Sequence, residues 1–179
     1  MLQSLKKFLQ FNPYADAVPL YEAIVKWSRQ KVFFQDWGVP DTLDGRFEMI
    51  SLHMFVVLHR LKDEKHYEAF SQQLFDLFFA DMDQCLREMG VGDTGIGVRI
   101  KHMAQSFYGR LKTYEAALVS ESEMRDALTR NVYGTEPKVP LDKVKKIKEY
   151  LTKAMKCAEK NAMDEVIKGQ LEIEYIYAT

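Results

Sequence analysis

The stretch FSQQLFDLFFADMDQCLREMGVGDTGIGVRIKHMAQSFY, residues 70–108, decides the fold of this chain. Through its first half, apolar side chains recur three and four residues apart, which is the spacing of one face of an α-helix. Phe75 and Phe79 add apolar surface beside that face. A helix that is apolar over more than one stripe is normally covered on more than one side. We therefore predict a central helix here.

A glycine-rich corner separates this helix from a second one. Gly90 predicts a left-handed C-terminal cap. Asp93 or Thr94 can cap the next helix, which we expect from about Gly97 to Val119. The corner GVGDTGIG contains four glycines, but it follows a helix and lacks the Gly-Lys-Ser/Thr of a phosphate-binding loop. We interpret it as a turn between two helices.

Polar residues interrupt the two most apolar helical segments at a regular interval. Three fall seven residues apart in the segment from residue 46 to about residue 62, and two more fall seven apart in the helix of residues 70–89. The linker between the segments is short, so we expect antiparallel neighbouring helices. The pattern predicts a buried polar seam that fixes their register, with a polar rim for a partner as the alternative. The seam comprises Arg46, His53, Arg60, Asp76 and Asp83.

Breaks in the helical pattern divide the chain into three predicted parts. Residues 1–12 form a short amphipathic helix, residues 13–134 the main helical domain, and residues 135–179 a helical appendage. We interpret the first helix as packing on the domain, with a membrane-surface anchor as the alternative, since so short a helix buries little area. Together these parts predict an all-α fold: a single-domain bundle of about six or seven helices with a lysine-rich C-terminal helix.

The C-terminal part combines a long helical pattern with a high density of lysine. Residues 141–168 have the pattern of a single helix, and the ending LEIEYIY that of a strand or extended arm. Eight lysines lie between Lys138 and Lys160, against three acidic residues. We interpret this as a solvated helix face. The alternative is a docking surface for an anionic membrane or for ribosomal RNA.

Composition indicates a globular protein with reduced thiols. Hydrophobic residues make up 47% and aromatic residues 12% of the 179, which is enough for a sizeable core. The net charge of −1 gives no general attraction for nucleic acid, so we predict no DNA partner. No apolar run reaches the ~20 residues that span a bilayer, so we expect a soluble or peripheral protein. Cys85 and Cys157 favour free thiols, and a disulfide between them stays open.

Residue types that carry out catalysis or bind metals are present but are not grouped. The four histidines show no His-Glu-x-x-His pattern. Asp81 and Asp83 point to different faces of their helix. Cys85 lies on an apolar face, where burial raises the pKa of a thiol and suppresses its reactivity. The sequence therefore predicts no catalytic site, no metal and no cofactor.

Two blocks of sequence, in this order, resemble the motifs of the ubiquinol-cytochrome c chaperone family. Members of this family are assembly factors for respiratory complex III. The blocks are GVPDTLDGRFEMISLHMFVVLHRL at residues 38–61 and FFADMDQCLREMGVGDTGIGVRIKHMAQSFYGR at residues 78–110. The resemblance covers roughly residues 20–118, and the region after Ser120 has no recognisable counterpart. The segment QKVFFQ, residues 30–35, departs from the family's pattern.

The resemblance implies a non-enzymatic assembly chaperone that binds newly made cytochrome b. It also implies a cytoplasmic position peripheral to the inner membrane in a bacterium, or the matrix side in a mitochondrion. Mitochondrial members of the family act with a small second assembly factor and at the ribosomal tunnel exit, so both are candidate partners. The alternative from another class is a small lipid- or quinone-binding helical protein.

Ten residues are candidate contacts for a partner. Phe33, Phe34 and Trp37 form an aromatic group that either plugs the core or lines a groove for an apolar client segment. The other candidates are turn and polar residues that the family's motifs carry over onto this chain. They are Asp41, Asp44, Arg46, Arg87, Asp93, Lys101 and Tyr108.

Overall fold

The computed structural model of the protein describes residues 14–134, 136 and 138–175. These residues form eight α-helices and three short 3-10 helices, and no strand. The α-helices are α1 Val18–Ser28, α2 Lys31–Gln35, α3 Leu43–Leu61, α4 Glu68–Glu88, α5 Asp93–Ala117, α6 Glu121–Val132, α7 Leu141–Lys160 and α8 Met163–Ile167. Six of them are longer than ten residues, which confirms the predicted all-α bundle. The predicted helix of residues 1–12 lies outside the described residues.

Helix α3 lies at the centre of the bundle. Thirteen of its 19 residues are buried, and it packs against α1, α5, α6 and α7. At its start, the backbone N–H of Gly45 donates to the Thr42 hydroxyl (3.1 Å), which satisfies a donor that the helix would otherwise leave unpaired. Helix α4, which we expected at the centre, packs mainly against α1 and α5. The more continuously apolar segment is therefore the central one.

The corner between α4 and α5 has the predicted cap but a different helix start. Gly90 adopts a left-handed backbone with φ of 80°. Its N–H and that of Val91 bond to carbonyls in the last turn of α4, which forms a Schellman cap. Helix α5 begins at Asp93 and not near Gly97. An acidic side chain in the first turn favours this start, because it interacts with the positive end of the helix dipole.

The C-terminal segment contains two α-helices where we expected one. Helix α7 ends where Asn161 and Ala162 adopt extended backbones. The Asn161 side chain donates back to the carbonyl of Cys157 (2.8 Å) and so competes with continuation of the helix. Residues Glu172–Tyr175 form a 3-10 helix in place of the predicted strand.

The C-terminal helices belong to the same core as the rest of the chain. One hydrophobic cluster includes buried residues from Ala17 to Ile173, and α7 packs against both α3 and α6. After α8, Gly169 has φ of 67°, and a Cβ there would lie 2.5 Å from the Cβ of Ala23 in α1. Only glycine allows this close approach. The loop near Gly134 therefore connects parts of one core.

Candidate functional site

An apolar groove lies between α3, α4 and α5. It is open to solvent and has a volume of about 540 Å³. The end of α3, the start of α4 and the C-terminal part of α5 contribute its walls. The apolar and aromatic side chains that line it are Phe55, Leu58, Leu61, Phe75, Phe107, Tyr108 and Leu111. We call this surface the aromatic groove.

Ring contacts hold one wall of the aromatic groove in place. Phe75 and Tyr108 stack with centroids 5.1 Å apart, and Phe75 also contacts the fully buried ring of Phe107 at 5.9 Å. Such ring pairs contribute about 0.5–1.5 kcal/mol each beyond their buried area. Tyr108 nevertheless stays 54% exposed. A large aromatic side chain held in place at the surface is typical of a site where another molecule binds.

A charged cluster borders the aromatic groove. The Glu115 carboxylate bonds to Nδ1 of His59 (2.7 Å) and to Nζ of Lys62. Burial would raise the pKa of Glu115, but the hydrogen bonds from Lys62 and His59 more than offset it and hold the pKa below its ordinary value. The carboxylate is therefore ionised at neutral pH, and it ties the end of α3 to α5. The polar rim is completed by Glu68, Gln72 and Lys112.

The aromatic groove has the composition of a binding surface. An apolar floor with a polar rim is the pattern by which proteins take up an apolar or amphipathic helix. Within the described part of the chain, no three metal-binding side chains lie together. No helix described there has both the length and the apolar character needed to cross a bilayer. Cys85 is buried in α4, and burial raises its pKa to about 11, as expected for an inert thiol.

Two of the three predicted aromatic contacts are core residues. Phe33 is fully buried and Trp37 is 9% exposed, and their rings meet edge to face at 5.3 Å. Phe34 is half-buried against the core. These positions support the interpretation of a plug over the core. In this conformation, Phe33 and Trp37 are not accessible to a partner.

Most of the charged motif residues pair with each other at the surface. Asp41 and Arg46 form an exposed ion pair of 2.7 Å near the start of α3. Hydrogen bonding to the Arg46 guanidinium holds the pKa of Asp41 below its ordinary value. Arg87 donates to Asp83 and to Asp93, both at 2.6 Å. The bond to Asp93 joins the end of α4 to the start of α5 and fixes the corner, whereas the bond to Asp83 lies within α4 and holds the Arg87 side chain in place.

Tyr108 is the one predicted candidate that lines the aromatic groove. Asp44 and Lys101 are exposed on α3 and α5, outside the groove. Sequence reasoning missed His59 and Glu115, which lie 56 positions apart in the chain. Their pairing depends on how α3 and α5 cross, and no local pattern reports it. The family motif that contains Tyr108 was the available signal.

The structure does not bring together the five residues of the predicted seam. Their partners are Asp41 for Arg46, Met49 and Tyr150 for His53, Glu64 and Ala158 for Arg60, Gln72 for Asp76, and Arg87 for Asp83. Helix α3 turns His53 towards α7, whereas Asp76 and Asp83 lie on the half-exposed side of α4. Regular spacing fixes which residues share a face of one helix, but not which helix that face meets.

Three polar contacts, two of them buried and one partly buried, take the place of the predicted seam. They join Glu48 to Arg110, Asp81 to Tyr21, and His53 to Tyr150. The partners are separated by 62, 60 and 97 positions respectively. Each contact links two helices through a buried group, and removing one member would leave the other unsatisfied. These contacts therefore fix the register of the helices that they join, which is the role that we assigned to the seam.

Residues 35–173 match the sequence pattern of the family described as Ubiquinol-cytochrome C chaperone. The chain is a member of this family. The match contains α3 to α8 completely. It extends well beyond Ser120, so our expectation that the later region has no counterpart is wrong. The C-terminal helices are thus part of the family's shared domain.

Relatives from two animals and one bacterial structure resemble this family member. It is 24% identical over 139 residues to ubiquinol-cytochrome-c reductase complex assembly factor 1 of Xenopus laevis, which is 76% of this chain and 69% of the relative. It is 24% identical over 168 residues to the Mus musculus assembly factor 1, covering 92% of this chain but only 57% of the mouse protein. The crystal structure of the Cbp3 homolog from Brucella abortus has 36% identity and a TM-score of 0.76, with 94% of each chain covered.

Proposed function

We propose that this protein is a non-enzymatic assembly chaperone for ubiquinol-cytochrome c reductase, respiratory complex III, and that its client is newly made cytochrome b. The family and the names of the two animal relatives support the chaperone role. The aromatic groove supports the kind of client, because its apolar floor is complementary to the apolar helices of a membrane protein. This groove is the single observation on which the proposed binding mode depends.

The dimensions of the aromatic groove fit part of one transmembrane helix. Along α5, its lining runs from Phe107 to Glu115, which is about 12 Å of helix axis at 1.5 Å per residue. A transmembrane helix crosses a hydrocarbon layer of about 30 Å, so the groove covers about two turns of it. A contact of this size shields an apolar segment from water and still allows its release, as assembly requires.

The polar rim fits the end of such a helix. Transmembrane segments carry Lys and Arg beyond their apolar part on the cytoplasmic side. Glu68 is exposed on the rim of the aromatic groove, whereas Glu115 is already bound by His59 and Lys62. We propose that Glu68 receives the basic flank of the client and so sets the direction in which its helix lies.

Photo-crosslinking from single positions tests this binding mode. A photoreactive amino acid is placed at Tyr108 in the groove or at Val98, which is 57% exposed on the same helix but outside the groove. The two positions lie about 15 Å apart along α5. We expect cytochrome b, identified by mass spectrometry, to be crosslinked from position 108 and not from position 98. Equal crosslinking from both positions, or none from 108, would overturn it.

The alternative function is that of a small lipid- or quinone-binding protein. Such a ligand is usually enclosed on most sides by its site. The aromatic groove is open to solvent, which favours a polypeptide segment as its occupant. A quinone or lipid that stays bound to the purified protein, in the absence of any crosslink to cytochrome b, would favour the alternative.

We propose the outward face of α7 as a second contact, with an anionic partner. Its exposed lysines are Lys145, Lys146, Lys153, Lys156 and Lys160. Glu149 lies 3.8 Å from Lys145 and reduces the local charge. The predicted docking on an anionic membrane or the ribosome is supported if binding falls steeply with added salt. From family membership we also propose that a second assembly factor is a partner and that the protein is located beside the inner membrane.

A further inference from the structure

A second cavity lies on the other side of α5 from the aromatic groove. The start of α3, the middle of α5 and the end of α6 form its walls, and it encloses about 470 Å³. Its apolar lining includes Phe47, Leu86, Met103 and Val132. Its remaining lining is mostly made of hydrogen-bond donors. We call it the arginine cavity.

Donors approach the arginine cavity from two helices. Arg99, Ser106 and Arg110 are spaced by seven and four residues on α5, so they share one face of that helix. Arg130 and Asn131 face the same space from the end of α6. Among the described residues, no carboxylate lies within ion-pair distance of Arg99 or Arg130. Two exposed guanidinium groups from different helices thus border one cavity, and neither forms an ion pair with a described carboxylate.

The carboxylate at the base of the arginine cavity pairs with Arg110 and does not pair with Arg99 or Arg130. Glu48 is 4% exposed and is held by Arg110, whose Nε lies 2.5 Å from Oε2 and whose second nitrogen contacts Oε1. Both carboxylate oxygens are therefore engaged by one guanidinium. Burial raises the pKa of Glu48, and the hydrogen bond from Arg110 offsets this in part. The remaining acid of the lining is Asp44, which is exposed at the cavity edge.

We propose that the arginine cavity binds the phosphate group of an anionic ligand, either a phospholipid head group or a free phosphate ester. Planar guanidinium groups donate paired hydrogen bonds to phosphate oxygens, and Ser106 and Asn131 supply neutral donors beside them. His102 adds a further donor at the edge. The apolar lining accommodates carbon atoms attached to the phosphate. This inference does not depend on the aromatic groove or on cytochrome b.

Charge-matched variants of the full chain test this proposal. The double variant Arg99→Gln/Arg130→Gln removes the two guanidinium groups that lack protein anions. The control Lys101→Gln/Arg125→Gln removes the same charge from α5 and α6 at exposed positions outside the cavity. The probes are glycerol 3-phosphate, measured by calorimetry, and vesicles of phosphatidylcholine with or without phosphatidylglycerol, measured by cosedimentation. Circular dichroism and melting curves check each variant, and the two single arginine variants are measured if the double variant unfolds.

The outcomes separate a site from general electrostatic attraction. We expect the cavity variant to weaken binding by about tenfold or more, and the control to stay within about twofold, because charge-assisted hydrogen bonds contribute roughly 1.5–3 kcal/mol. Binding of phosphatidylglycerol vesicles alone assigns the phosphate to a lipid, and binding of glycerol 3-phosphate assigns it to a soluble ester. Equal weakening in both double variants, or no binding of either probe by the unaltered protein, would overturn the proposal.

Discussion

Two aromatic clusters in this protein differ in what covers them. Under α7, the rings of Phe33, Trp37 and Tyr150 meet edge to face with centroids 5.0 to 5.9 Å apart, and all three are buried. In the aromatic groove, Phe75 and Tyr108 stack at a similar 5.1 Å, yet Tyr108 is 54% exposed. The residue types are alike. A covering helix makes the first cluster a core, whereas none of the described helices covers Tyr108, whose ring stays at the surface.

The cluster under α7 also satisfies its polar atoms internally. Nδ1 of His53 lies 2.7 Å from the carbonyl of Met49, which can only accept, so Nδ1 carries the proton. Nε2 then accepts from the Tyr150 hydroxyl at 2.6 Å. The Tyr133 hydroxyl donates to the carbonyl of Trp37 at 2.9 Å. This internal bonding closes the cluster, whereas the groove keeps its charged groups on an open rim.

The largest expected effect comes from opening the covered cluster. Phe33→Ala removes a fully buried ring that contacts Trp37, His53 and Tyr150. We expect the free energy of unfolding to fall by about 3–5 kcal/mol, because the loss of buried area is combined with a cavity. Urea unfolding followed by circular dichroism measures it. A loss below about 1 kcal/mol would mean that this cluster is not sealed.

Acid is expected to weaken the covered cluster through His53. Burial lowers the pKa of His53 to about 4 from 6.5, so between these values the unfolded chain binds this proton more readily than the folded chain. The corresponding stability is present above pH 6.5 and is lost as the pH falls towards 4. The loss is about 1.4 kcal/mol per pH unit, or roughly 3 kcal/mol by pH 4. Unfolding curves in urea at a series of pH values measure it.

Comparison with variants isolates the contribution of His53. Burial raises the pKa of Asp81 and of Glu48, and these groups change stability with pH in the opposite direction. The difference between the unaltered protein and His53→Gln is therefore the informative quantity. His66→Gln, which alters an exposed histidine, is the matched control for the substitution itself. If the curve of His53→Gln ran parallel to that of the unaltered protein, the assignment to His53 would be wrong.

The smallest stability effect is expected in the aromatic groove. Tyr108→Ala removes the stack on Phe75 but little buried area. We expect the free energy of unfolding to change by about 1 kcal/mol or less, the contribution of one ring pair. Thermal and urea unfolding beside Phe33→Ala measure the contrast directly. Comparable losses for the two variants would contradict the distinction between a core and a binding surface.

Features with local causes could be predicted from the sequence. Helical spacing identified the long helices, and Gly90 identified the cap of α4. Errors arose where a side chain decided between two local outcomes. Asp93 starts α5 earlier than expected, and Asn161 breaks the C-terminal helix by bonding to the carbonyl of Cys157.

Features that depend on how helices cross could not be predicted. The face of α3 that carries His53 meets α7, whose Tyr150 lies 97 positions later. The aromatic groove needs three helices at fixed angles, so sequence reasoning found only Tyr108, through the family motif. Phe33 and Trp37 could be read as core or surface, because nothing local shows which helix returns to cover them.

Recovery of cytochrome b with tagged protein from its own cells tests the central claim most directly. The unaltered protein is compared with Tyr108→Ala and with Val98→Ala, which removes an exposed apolar side chain from α5 outside the groove. We predict that Tyr108→Ala lowers the recovered cytochrome b about tenfold, as expected for a central aromatic contact, while Val98→Ala leaves it unchanged. Full recovery of cytochrome b with a folded Tyr108→Ala protein would contradict the claim that the aromatic groove holds the client.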